Sequence, residues 1–524
     1  MASTANLRSR RSAAQLHALA GVEREIRSQD SHNRRKYLRE FNRAFRNYNS
    51  LLDSEQVQNA LRAADIVLIG DYHALPNAQR QAASLIEQRA LAGGRPVVLG
   101  VETIFARDQY ILDEWWRREI DESEFRQRIR FDLDWGYDWA PFYELLVAAR
   151  DHAEALYGLD CMPREDLRKI GARDRHAAFK IAEIRERHPN AVIFVLFGES
   201  HLAPGHLPQV LQKQIPGARV LTILQNIDAL YWRAAGERAD KVDAVRVNDD
   251  VLCVFNATPL EKYESYRLFL DQWSRCEEGP DFAPTIYNLI DSLARFLEIN
   301  RYSPHNGTQP KFLVDMLPEV YAGSSDEMLL RLSRKGIGEA ERESMLADVA
   351  NRGGAYLPQL NAFYVHEFQM MHAAEDATRF LHQACQGLPR RLNGHTGGVL
   401  ERQPKTRSDA FYTRVVENAV SYFGSRVLYP SRPAYNSEEM PQLSRAALDK
   451  AAQGIVRADD ENFESLAREW GYRIGSQMYD AYLAGKVLPS GLRRLFLTHL
   501  DEPGLARKVC ATVISKLRRA QNTS

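Results

Sequence analysis

A chain of 524 residues is too long for one ordinary hydrophobic core and calls for two or three domains. Lysine plus arginine and aspartate plus glutamate number 69 each, so the formal net charge is zero, and no long single-sign block asks for nucleic acid or an acidic membrane surface. Five scattered cysteines, Cys161, Cys253, Cys276, Cys385 and Cys510, lack the close spacing of a zinc knuckle or a redox pair, which suits a reducing compartment.

At the amino terminus, "MASTANLRSRRSAAQLHALAGVEREI" is basic, but its apolar stretch is short, interrupted by His17 and followed by charges, so it does not read as a signal peptide. No run approaches the roughly 18 apolar residues of a transmembrane span. A cytoplasmic location is expected. Residues 1–60 read as a charged amphipathic helical extension without evident chemistry.

From 61 to 262 short apolar runs alternate with helix-period segments such as "NAQRQAASLIEQRALA" and "DRHAAFKIAEIRER". Strands are expected at residues 66–69, 96–101, 155–159, 191–197 and 218–223, and "VRVNDDVLCVF" reads as a hairpin around Asn248-Asp249 that adds an antiparallel edge. Strand and helix in alternation imply right-handed crossovers, hence an α/β domain with a mostly parallel sheet between helical layers. From 263 to 524 the strand signal fades, and long helical patterns broken by Pro/Gly-rich stretches predict an all-helical C-terminal domain of unreadable function.

Two strands of the α/β domain end in the same way. "DIVLIGDYHAL" runs into Gly70-Asp71-Tyr72-His73, and "VIFVLFGESHLAPGH" into Gly198-Glu199-Ser200-His201. In an open parallel sheet, ligands bind beyond the carboxyl ends of the strands. If the chain stays extended past each glycine, residues two apart project to one side, aiming Asp71 with His73, and Glu199 with His201, at a common cleft. "RPVVLGVETIF" brings Glu102 to the same edge, and "ALYGLDCMPRED" brings Asp160 and Arg164, which equally well pair with each other. His73, Glu102 and His201 suit a borderline divalent ion such as zinc, manganese or iron, with Glu199 or Asp71 as the general base on metal-bound water. The structural alternative for each is ordinary: loop histidines bonded to backbone and acidic helix caps.

"FDLDWGYDWAPFYELL" concentrates Trp135, Tyr137 and Trp139 just before a helix, reading either as a lid over the cleft or as a well-packed crossover. Tyr72, inside the first motif, is a phenol suited to ferric iron.

"IVLIGDYHALPNAQRQ", "VVLGVETIFARDQYIL", the Trp/Tyr-Pro-Phe-Tyr stretch and "VIFVLFGESHLAPGHLP" together resemble the ChaN-like domain of the haem-binding-uptake, Tiki, TraB and erythromycin-esterase superfamily, over about residues 61–260. The resemblance implies a parallel sheet between helices and a cleft for haem or a catalytic divalent metal. His73, Glu102 and His201 match its pattern, with Glu199 as the acid of the second motif; Asp71 stands where the family more often has Glu.

In the helical half, His372, Glu375 and His382 share one helical face, open to a second metal or haem site or to a buried polar network. Three functions follow from the sequence: a ChaN-like protein binding haem or a metal ion, a metal-dependent hydrolase of esterase or peptidase type acting on a small-molecule or peptide ligand, and a degenerate domain serving as scaffold.

Overall fold

In the computed structural model the described residues are 4–30, 36–161, 170–237, 243–274, 280–299, 317–323, 325–334, 338–358, 360–386, 406–435, 442–455, 460–500 and 502–521. The chain divides into two compact units, residues 24–276 and residues 1–23 with 277–524.

The first unit is built on eight strands: β1 (Ser50–Leu52), β2 (Ile66–Asp71), β3 (Val97–Phe105), β4 (Ala155–Asp160), β5 (Val192–Gly198), β6 (Val220–Gln225), β7 (Ala244–Asn248) and β8 (Val251–Val254). They lie in the order β1-β7-β8-β6-β2-β5-β3-β4. Pairing is parallel from β8 through β4, whereas β7 and β1 are antiparallel additions at one edge. The expected hairpin around Asn248 is there, as β7 and β8.

Every residue of β2, β3 and β5 is buried, as expected of central strands covered on both faces. Alternate residues feed two cores. Val67, Ile69, Leu99 and Phe194 meet the helices Pro76–Leu91 and Trp139–His152 on one face. Ile66, Leu68, Val98 and Val195 meet Ala177, Ala178 and Ile181 of the helix Ile170–Arg187 on the other. Asp71 pairs in register with Gly198, so the carboxyl ends of β2 and β5 are level, while the pairing of β3 with β5 stops at Val101 and Leu196 and β3 runs on to Phe105 past that edge.

The second unit is mainly helical, as its sequence pattern predicts, with helices Met370–Gln386, Arg407–Leu428 and Asp460–Leu483 forming a packed group. It is not purely helical. β9 (Glu319–Ala322), β10 (Gly354–Leu357) and β11 (Ala362–Val365) form a small sheet in the order β10-β11-β9. Four-residue strands are too short to print a period on the sequence. Among the described residues no helix is long and apolar enough to cross a membrane.

Candidate functional site

The two G-acid-x-His motifs meet. A Cβ placed on Gly198 would lie 3.3 Å from His73 Nε2 and 3.6 Å from His201 Cδ2, so both rings flank one point at the carboxyl edge. Glu102 lies between them, with Oε2 3.7 Å from His73 Nε2 and Oε1 3.8 Å from His201 Nε2. It sits where the β3–β4 register shifts between Val101 and Phe105; such an irregularity re-aims a side chain out of the regular alternation.

Each imidazole is held by an aspartate. His73 donates from Nδ1 to Asp71 Oδ2 at 2.7 Å, while Gln79 Nε2 donates to Asp71 Oδ1 at 2.5 Å. His201 donates from Nδ1 to Asp174 Oδ1, also at 2.5 Å. In the first motif Asp71 and His73 therefore do face each other.

The second motif departs from the extended reading. After Gly198 the chain turns at once into a 3-10 segment, Glu199–Leu202, and this rotates its two chemical groups apart. His201 goes to the cleft. Glu199 goes the other way, to Lys262 Nζ at 3.0 and 3.1 Å for its two oxygens. Lys262 comes from the helix Pro259–Ser274, which belongs to the α/β unit, and its ammonium lies 4.6 Å from the centroid of the Tyr72 ring. Neither Glu199 nor Asp71 is placed as a base on water: both Asp71 oxygens accept from Gln79 and His73, and Glu199 is an ion-pair partner.

Arg173 sits at the centre of the buried charges. Its Nη2 donates to Glu102 Oε1 at 2.5 Å and to Asp160 Oδ2 at 2.8 Å, Nε donates to Asp160 Oδ1 at 2.8 Å, and Nη1 approaches His201 Nε2 at 3.4 Å. The backbone N–H of Gly198 donates to Glu102 Oε2. Burial alone raises a carboxyl, but Arg173, His201, His73 and the Gly198 amide outweigh it and hold Glu102 well below the ordinary carboxylate range. Asp160, where burial prevails over Arg173, is pushed up.

These contacts bear on the expected roles. The predicted pairing partner of Asp160, Arg164, lies outside the described residues, and Asp160 pairs with Arg173 instead. Between Glu102 and His201 stands the Arg173 guanidinium, a built-in cation, and among the described residues no group of three His, Cys, Asp or Glu side chains is arranged to hold a metal ion. Tyr72 is a poor phenolate: desolvation, then the neighbouring Tyr263 and Glu199, push its hydroxyl well above its usual value.

Of the three aromatics, two line the site. Trp135 and Tyr137 have ring centroids 5.2 and 5.3 Å from that of His73, with Phe142 at 6.4 Å. Trp139 turns into the core, 4.8 Å from Phe131 and 5.5 Å from Tyr143, donating from Nε1 to Glu122 at 2.8 Å. Phe269 stacks on Tyr137 at 4.3 Å, extending the wall from the Pro259–Ser274 helix.

Sequence reasoning missed Arg173, Asp174 and Lys262. The available signal for the first two was an Arg-Asp pair on the same helix as the apolar positions Ala177, Ala178 and Ile181; both charged residues are buried. In the helical unit, Glu375 meets Arg432 at 2.8 Å, Arg352 at 3.4 Å, Arg379 at 3.5 Å and the Tyr472 hydroxyl at 2.6 Å, a buried polar network.

Fold and site together define a parallel α/β domain with a histidine-carboxylate cluster at its carboxyl edge. Residues 57–191 match the family model described as "Haem-binding uptake, Tiki superfamily, ChaN". The α/β unit thus carries a ChaN-like domain; the match spans under half of the chain and stops before β5 and its motif. A solved structure titled "Cofacial heme binding to ChaN of Campylobacter jejuni" is 13% identical, over 33% of this chain and 86% of its own, with a TM-score of 0.26, a likeness that carries no argument. No curated protein matches the chain.

Proposed function

We propose that the α/β unit binds haem at the carboxyl edge of its sheet, with His73 as the imidazole facing the iron and Trp135 and Tyr137 as flat walls. The observation that carries this reading is a ChaN-type match over residues 57–191, a stretch that itself contains His73, Glu102 and the aromatic wall. The donor chemistry suits the group: an imidazole steadied through Nδ1 by Asp71, 16% exposed, beside an indole and a phenol. When bound, haem would supply the iron, and the His73 imidazole would be the side chain that holds it. The chain's own residues orient the ring through Asp71 and Gln79, and keep Glu102 ionised behind it through Arg173. A lone divalent ion is less well served, because the Arg173 guanidinium already ion-pairs with both Glu102 and Asp160 and places a cation beside them.

A second reading, hydrolysis by general acid–base chemistry, draws on the two aspartate-backed imidazoles on either side of Glu102. The two are separated by titrating the purified full chain with hemin and assaying a panel of simple esters and peptides. Haem binding predicts a saturable Soret shift that is lost in His73→Ala. No shift, together with turnover that falls roughly 10²- to 10⁴-fold in His201→Ala, supports hydrolysis instead. Neither signal leaves the domain as a scaffold for the helical unit.

A further inference from the structure

The motif that ends β5 continues past His201 to His206, and this second histidine has no part in the reading above. Asp174 Oδ1 accepts from His201 Nδ1 at 2.5 Å, its Oδ2 lies 3.0 Å from His206 Nδ1, and His206 Nε2 lies 3.5 Å from Glu40 Oε2. Imidazole, carboxylate, imidazole and carboxylate thus alternate in one line. The line also runs from inside to outside. The side chains of Asp174 and His201 are 1% and 4% exposed, His206 is 15% exposed, and Glu40 is 44% exposed. A buried carboxylate that needed only satisfaction could take any two partners; here both partners are titratable rings that can give or accept a proton, one facing the cleft and one facing the surface.

We propose that Asp174 and His206 form a proton path joining the buried His201 ring to solvent. The cleft end is set by Arg173 and Glu102, which face His201 Nε2 at 3.4 and 3.8 Å; the outer end is set by Glu40. A proton taken up at His201 Nε2 releases the one on Nδ1 to Asp174 Oδ1. The Asp174 carboxyl turns over and gives that proton to His206 Nδ1, with His206 in the tautomer that carries its hydrogen on Nε2. His206 then gives its Nε2 proton to Glu40 or to water. Each ring gains one proton and loses one, Asp174 returns to its carboxylate, and the net change is one proton moved from cleft to solvent, with no oxidant or reductant. Reversal restocks His201 from outside. The path stands on the geometry alone and holds whether or not haem binds.

The test uses the full chain without ligand. With ¹⁵N-labelled histidine, NMR reads how fast the His201 ring proton on Nδ1 exchanges with water. In His206→Gln, with thermal midpoint unchanged, that exchange is expected to slow by roughly tenfold or more, because the ring that passes the proton on is gone. Glu40→Gln should slow it far less, since water also takes protons from His206. An unchanged His201 rate in folded His206→Gln overturns the path and leaves His206 as a mere donor to Asp174. Should His206→Gln fail to fold, His206→Asn takes its place: the same slowing of the His201 exchange is expected, and an unchanged rate overturns the proposal.

Discussion

Arg173 holds two carboxylates, Glu102 and Asp160, that are themselves buried, and its own side chain is 7% exposed. Removing one member of such a cluster strands charges out of water, a change that costs about 3–5 kcal/mol. Arg173→Leu is therefore expected to lower the unfolding free energy of the α/β unit by that order, read as a lower urea midpoint, and an unchanged midpoint would show that the cluster is not held by charge. Gly198 offers a gentler probe. A Cβ there would come within 3.0 Å of Glu102 Oε2 and 3.3 Å of His73 Nε2. Gly198→Ala is expected to displace His73 or Glu102, costing about 1–3 kcal/mol of stability by overpacking, and to weaken hemin binding by about tenfold; equal affinity by titration would place the ligand elsewhere. His73, Glu102 and His201 were legible because each follows an apolar run whose end could be seen. Arg173 was not, since it lies 71 residues from Glu102 and only the fold brings them together.

Elements of the helical unit carry their own sensitivities. His382 is fully buried on the helix Met370–Gln386, and among the described residues neither of its ring nitrogens has a hydrogen-bond partner. Burial, opposed only in part by Glu417, pushes it down from 6.5 to about 4. The unfolded chain then binds the proton more readily, so the stability His382 allows is complete above about pH 6.5 and is lost as pH falls toward 4. The loss is of the order of 3 kcal/mol at 1.36 kcal/mol per unit. His382→Leu should flatten that slope in urea titrations at pH 4.5 and 7, and an identical slope would refute the assignment. Close helix packing is equally specific: a Cβ on Gly475 would meet the Ala419 carbonyl oxygen at 2.4 Å. Gly475→Ala is expected to push the helices Arg407–Leu428 and Asp460–Leu483 apart and cost about 1–3 kcal/mol, read from the denaturation midpoint. Long periodic elements were readable from sequence. The turn after β5 was not, because nothing in Glu199-Ser200-His201 announces a 3-10 segment rather than continued strand, and that turn decides which way Glu199 points.

At the scale of the molecule, residues 24–276 and residues 1–23 with 277–524 each gather a core of their own, the condition for separate unfolding. Calorimetry of the full chain is expected to give two transitions, of which hemin raises only the one belonging to the α/β unit, by about 2.7 kcal/mol of stability at a hundredfold excess over the dissociation constant. Both transitions moving together would contradict a ligand confined to that unit. Alternating strands and helices made the parallel sheet legible; β1 escaped notice because a three-residue edge strand carries no pattern. The helix Pro259–Ser274 had no local sign that it serves the sheet, since its role rests on Lys262 reaching Glu199 and Phe269 stacking on Tyr137.

The central claim is a place: the carboxyl edge at His73. Crystals of the full chain grown with hemin and measured at the iron absorption edge locate the metal without reference to any assumed ligand. The prediction is one anomalous peak on the His73 imidazole, beside Trp135 and Tyr137. A peak on any other residue, or none from crystals that carry bound hemin in solution, would contradict it.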